Sequence, residues 1–159
     1  MQSRIHQAAF ITALAMTFAV GFSGTATAQS AGTWKLNLAK STYQQGEAPK
    51  SVTLVYVSAG AGIKVTVDSV PATGAPIHYT YTANFDGKDV PVVGNPNYDM
   101  AARTRVNATT TKSVNKKGGK VVSESTFVES ADGKMLTITA KGIDATGKNT
   151  NSIAVYDKQ

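Results

Sequence analysis

The chain has 159 residues, no cysteine and a formal net charge of +6. Without cysteine it can form no disulfide, carries no thiol chemistry and offers no site for a lipid-modified cysteine. Its length fits one domain, which at this size buries enough surface to be stable without cross-links.

The first 28 residues predict a secretory signal peptide. Arg4 gives a positive start, residues 8–22 are mainly apolar, and Ala26-Thr27-Ala28 has the A-x-A form that precedes cleavage. An uncleaved anchor is the alternative, but the apolar run is shorter than the roughly 20 residues that span a bilayer. We therefore expect cleavage after Ala28, a domain over 29–159 in the periplasm or secreted, and no stable membrane insertion after cleavage.

The remaining residues alternate between apolar and polar with a period of two, as in residues 63–68, 77–85 and 136–141. Such alternation is typical of strands with one buried and one solvated face. Turn residues such as Asp86-Gly87 and Gly118-Gly119 separate the runs and favour tight hairpins. We predict one helical turn within 38–43 and about ten strands, at 32–37, 51–58, 62–69, 76–85, 88–93, 99–106, 109–116, 120–128, 134–142 and 149–157.

This order of elements predicts an all-β fold, an antiparallel up-and-down meander. Closure into a barrel would remove both sheet edges, and a barrel of eight or more strands can hold a small ligand. A two-sheet β-sandwich is the alternative. Pro91 lies inside a short predicted strand, which indicates a sheet edge or a bulge at that point.

Two motifs resemble the lipocalin and fatty-acid-binding-protein superfamily. Gly32-Thr33-Trp34 opens the domain and Val155-Tyr156-Asp157-Lys158 closes it; the whole domain is also similar to small exported lipocalin-like bacterial proteins. The resemblance implies that Trp34 plugs one barrel end and that Tyr156 matches the tyrosine of a carboxylate-binding Arg-x-Tyr pair. The arginine of that pair is replaced here by Ala154.

Candidate ligand-binding residues are the two arginines after the signal peptide and three tyrosines. Arg103 and Arg105 share one strand face, and arginine suits sites that need a planar fork for a carboxylate or phosphate. They either point inward to a ligand or outward to an acid on a neighbouring strand. Tyr79 and Tyr81 lie on an apolar strand face, and Tyr156 is added by the resemblance.

No pattern in the sequence indicates catalysis, a metal site or a cofactor. His78 is the only histidine in the sequence after the predicted signal peptide, and no G-x-S-x-G elbow is present. Asp86, Asp89 and Asp99 lie in a segment rich in Gly, Asn and Pro. These carboxylates suit turns better than a paired-carboxylate or calcium site.

The lysines at positions 112, 116, 117 and 120 predict a solvated hairpin tip, with weak attraction to anionic envelope surfaces as the alternative role. Nucleic acid is not an expected partner because no base-stacking motif accompanies the charge. We expect a non-enzymatic, exported binding module for a small, mostly apolar ligand. The alternative is a structural or interaction domain of the cell envelope with a filled core.

Overall fold

The computed structural model describes residues 30–144 and 146–159. The predicted signal peptide and its cleavage site lie outside these residues. No helix within the described residues is long and apolar enough to cross a membrane.

The described residues form eleven strands and one short 3-10 helix. These are β1 Gly32–Leu36, the 3-10 helix Leu38–Lys40, β2 Thr42–Gln45, β3 Ser51–Ala59, β4 Gly62–Val70, β5 Ile77–Ala83, β6 Asp86–Pro91, β7 Met100–Arg105, β8 Thr110–Lys117, β9 Lys120–Glu129, β10 Met135–Ile143 and β11 Asn149–Lys158. The predicted strands agree to within a few residues. The helical turn predicted within 38–43 is the three-residue 3-10 helix Leu38–Lys40, and β2 was not predicted.

All pairings are antiparallel, in the order β5-β4-β3-β1-β11-β10-β9-β8-β7-β6, with β2 added beside β11. The first and last strands meet in the middle of this order, where Trp34 lies opposite Lys158. The sheet curls into a nearly closed barrel. The barrel prediction is therefore confirmed over the sandwich.

One seam, between β5 and β6, interrupts the barrel wall. The seam is bridged by Thr80 and Val93, which exchange two backbone N–H···O bonds of 3.0 Å each. Pro91 lies on β6, the strand at this edge. An edge strand was expected because proline has no N–H to donate to a neighbouring strand. Gly94 has a φ of +94°, and a Cβ on it would lie 2.3 Å from the carbonyl oxygen of His78. Only glycine allows the two edges to approach this closely.

The two halves of the wall have different inner faces. Strands β3 to β5 carry bulky side chains inward, among them Leu54, Tyr56 and Val65. Strands β7 to β9 carry more polar ones inward, among them Arg103, Ser113 and Ser125, which lie side by side on the three strands. A space remains between these two halves inside the barrel.

The connections alternate between two ends of the barrel. At the closed end, Trp34 is fully buried, and the Lys158 ammonium lies 5.1 Å from the centre of its ring. At the open end, loops 71–76 and 144–148 border a broad depression of about 1020 Å³. Trp34 is part of the hydrophobic core at this end, and the plug role implied by the resemblance stays a prediction.

Candidate ligand cavity

A cavity of about 310 Å³ extends from the open end toward the middle of the barrel. Its lining combines aliphatic side chains of β3 to β5, several aromatic rings, and hydroxyl and amide groups of β8 and β9. The volume lies at the lower end of the range of about 300–1,000 Å³ found for small-molecule sites. The cavity is thus suited in size and chemistry to a small amphipathic molecule.

Arg103 lies in the wall of this cavity and is only 2% exposed. Its Nη2 and Nε donate hydrogen bonds of 2.7 Å and 3.1 Å to the Tyr81 hydroxyl. Its guanidinium carbon lies 3.7 Å from the centre of the Phe127 ring, a cation–π contact. These contacts hold the planar group in one orientation.

The guanidinium remains charged in this position. Burial acts to lower the pKa of Arg103, but the interactions with Tyr81 and Tyr56 outweigh it and raise the pKa above the usual value. Burial raises the pKa of Tyr56 to about 12, although Arg103 opposes the shift. The tyrosine is therefore a neutral phenol at pH 7, beside a permanent positive charge.

Further tyrosines complete the aromatic part of the lining. Tyr79 and Tyr98 pack edge to face, with ring centres 5.7 Å apart and planes at 77°. This contact ties the loop before β7 to β5 at the mouth of the cavity. Burial raises the pKa of Tyr79, Tyr98 and Tyr156 above the usual value. These phenols are also neutral and contribute no negative charge.

The opposite wall is polar. The Ser113 hydroxyl donates to Asn115 Oδ1 at 3.1 Å, and Asn115 Nδ2 donates to the Ser123 hydroxyl at 2.9 Å. Ser125 lies beside Ser113 on the neighbouring strand and also lines the cavity. A ligand in the cavity would meet apolar and aromatic groups on one side and hydroxyl and amide groups on the other.

Four of the five predicted site residues line the cavity: Arg103, Tyr79, Tyr81 and Tyr156. Arg105 does not. It shares the face of Arg103, but two further residues carry it to the closed end, where it is exposed and its guanidinium carbon lies 5.1 Å from the Phe85 ring centre. The two arginines share one face of β7, but only Arg103 lies in the site.

Sequence reasoning missed the polar wall and the loop before β7. Asn95 and Asn97 line the mouth, although their Gly-Asn-Pro-Asn segment by itself predicts only a turn. Ser113, Asn115 and Ser125 fall on inward positions of β8 and β9. Polar residues at every second position of a strand were a usable signal, because one face of each strand must point inward.

The acidic residues of the 86–99 segment have structural contacts. Asp89 forms an ion pair of 2.7 Å with Lys116, and Asp99 accepts the Gly118 N–H at 3.0 Å. Within residues 30–144 and 146–159, no group of three or more His, Asp or Glu side chains could hold a metal ion. His78 is exposed, and its Nδ1 lies 2.7 Å from Oδ1 of Asp68.

The fold and the cavity together define a nearly closed antiparallel β-barrel with an internal, partly polar cavity. No protein-family model matches the chain, and searches of curated proteins and of solved structures give no significant match. The functional argument therefore rests on the geometry of the cavity.

Proposed function

We propose that the protein is an exported binding module that holds a small, mostly apolar molecule with an anionic group inside the barrel. The observation that carries this proposal is the position of Arg103. Its charged guanidinium is buried in the wall of a cavity of about 310 Å³ that has apolar and aromatic groups on one side and hydroxyl and amide groups on the other.

Hydrogen bonds to the Tyr81 hydroxyl compensate in part for the lost hydration of the buried guanidinium. They leave its positive charge in place, and in surroundings of low dielectric constant this charge favours a ligand that carries an anionic group. Small-molecule sites commonly combine apolar walls with a few polar groups that fix orientation. Arg103 and the Tyr81 hydroxyl would bind the anion, while Val52, Leu54 and Val67 would contact the apolar part.

The resemblance to lipocalins and fatty-acid-binding proteins supports the same interpretation. Trp34 occupies the closed end of the barrel, and Tyr156 lines the cavity. Ala154 stands at the position where those families have the arginine that accompanies the tyrosine. We infer that Arg103, from β7, supplies the positive charge instead.

A binding titration tests this function. Wild type, Arg103→Gln and the matched control Arg105→Gln are titrated with anilinonaphthalene sulfonate and with a fluorescent fatty acid. Losing a hydrogen bond to a charged group costs about 1.5–3 kcal/mol, or about tenfold to a hundredfold in Kd. We expect this loss for Arg103→Gln and almost none for Arg105→Gln. If folded wild type binds neither of these probes and no smaller anionic apolar ligand, the proposal fails and a filled envelope domain becomes the better interpretation.

Export is a separate part of the proposal, and it rests on residues 1–28 of the sequence. Sequencing the N-terminus of protein recovered from outside the cytoplasm should give Gln29 as the first residue. Protein that retains Met1, or that remains in the inner membrane, would contradict export by cleavage.

A further inference from the structure

We propose, building on the ligand-binding function above, that the cavity takes a compact hydroxylated aromatic carboxylate and not a long-chain fatty acid. Four features of the cavity support this class of ligand: its volume, the position of its cation, the polarity of one wall and the aromatic rings of the facing wall.

The volume limits the size of the enclosed ligand. A cavity of about 150 Å³ is known to hold one benzene molecule, so a cavity of about 310 Å³ has room for roughly one ring with a few substituents. A single ring with a carboxylate and a hydroxyl has this size. A long alkyl chain would have to pass Asn95 and Asn97 at the mouth and leave methylene groups in the open depression beyond.

The cation determines the anionic group. The Nε and Nη2 donors of Arg103 converge on the Tyr81 hydroxyl, and the Phe127 ring lies against the face of the guanidinium. A carboxylate would therefore be attracted by the charge of Arg103 and would lie beside the Tyr81 hydroxyl. The Tyr81 hydroxyl that accepts from Arg103 also carries an O–H, which would donate to the same carboxylate.

The polar wall distinguishes a hydroxylated ring from an alkyl chain. Arg103, Ser113 and Ser125 lie side by side on three neighbouring strands, and Asn115 adds an amide to the same wall. Ser113 and Asn115 already form hydrogen bonds within this wall, but an alkyl chain would offer no partner to the remaining donors and acceptors of its hydroxyl and amide groups, which is unfavourable. A ring hydroxyl supplies both a donor and an acceptor.

The facing wall suits a ring. Tyr56, Tyr81 and Tyr156 line the cavity, and aromatic pairs gain from stacked and edge-to-face contacts beyond the area that they bury. A planar ring between these phenols and the serine wall would satisfy both sides at once.

Isothermal titration calorimetry of the folded domain tests the proposal with four probes: para-hydroxybenzoate, para-hydroxybenzamide, benzoate and palmitate. We expect para-hydroxybenzoate to bind tightest, and its neutral amide to bind about tenfold to a hundredfold more weakly because it lacks the charge. This comparison uses wild type alone, so it holds even if substitution of Arg103 impairs folding.

A substitution in the polar wall gives the second measurement. Ser125→Ala should weaken para-hydroxybenzoate about threefold to tenfold, as for loss of one neutral hydrogen bond. It should leave benzoate unchanged, since benzoate has no hydroxyl to lose. An equal effect on both ligands would show that Ser125 acts on the shape of the cavity and would overturn its assigned role.

The outcomes separate this inference from the function on which it rests. If palmitate binds and the aromatic acids do not, the ligand class is wrong although the binding function stands. If amide and acid bind equally, the anionic group assigned to the ligand in the proposed function is wrong as well. If none of the four probes nor either fluorescent probe binds, the binding function itself is refuted.

Discussion

Substitution of Gly94 tests whether the close approach at the β5–β6 seam stabilises the barrel. In Gly94→Ala, the new Cβ would lie 2.3 Å from the His78 carbonyl oxygen, at a backbone φ of +94°. Gly74 is a matched control, with a φ of +92° and no neighbouring atom within 4 Å of the position that a Cβ would take. Alanine at either site meets the strain of a positive φ, but only at Gly94 does it also meet another backbone.

The difference between the two variants can be estimated from the structure. A left-handed backbone costs an L-residue roughly 1–2 kcal/mol, which is the full effect expected for Gly74→Ala. Gly94→Ala must also push the edges apart and break the two bonds between Thr80 and Val93. At about 1 kcal/mol per hydrogen bond, we expect a total loss of roughly 3–4 kcal/mol.

Urea unfolding, followed by circular dichroism, measures both losses as shifts in the midpoint at a common slope. Equal losses in the two variants would refute the reasoning, because the contact across the seam would then contribute nothing. A changed slope for Gly94→Ala alone would indicate that the native state had become less compact.

The other predictions concern the core and two titrating groups. Leu136→Ala, at a fully buried position, should lower the free energy of unfolding by about 2–5 kcal/mol, whereas Met135→Ala next to it, at an exposed site, should change it by less than about 0.5 kcal/mol; equal effects would contradict the assigned core. Hydrogen bonds from Asn37 and Lys40 lower the pKa of Asp157. Its contribution to stability is therefore present above the unfolded-state pKa and is lost as the pH falls through the folded pKa. Urea midpoints measured against pH should decline less steeply in acid for Asp157→Asn than for wild type. Burial raises the pKa of Tyr56 to about 12, so stability should fall as the pH rises above about 10, where the unfolded tyrosine ionises first; absorbance of tyrosinate should show late ionisation, and Tyr56→Phe should reduce the alkaline loss.

The cavity could be anticipated only in part. Tyr79 and Tyr81 were predicted on the apolar face of their strand, and both line the cavity, because side-chain alternation is a local property of the strand. The same parity placed Arg103 and Arg105 together, but parity does not give depth along the barrel. The inward position of Arg103 and the rim position of Arg105 follow from where each strand begins and ends in the closed wall.

By itself, the sequence determined the strands, the turns and the antiparallel meander, since these follow from alternation and from turn residues over a few neighbouring positions. The short strand β2 escaped because its four residues, Thr42–Gln45, have no apolar alternation and pair with the distant β11. Only the tertiary structure decided between barrel and sandwich, because that choice depends on the pairing of Trp34 with Lys158, which lie near the two ends of the domain's sequence. It also brought the polar wall of β8 and β9 to face the tyrosines, since a cavity exists only where side chains from distant strands fail to fill the space between them.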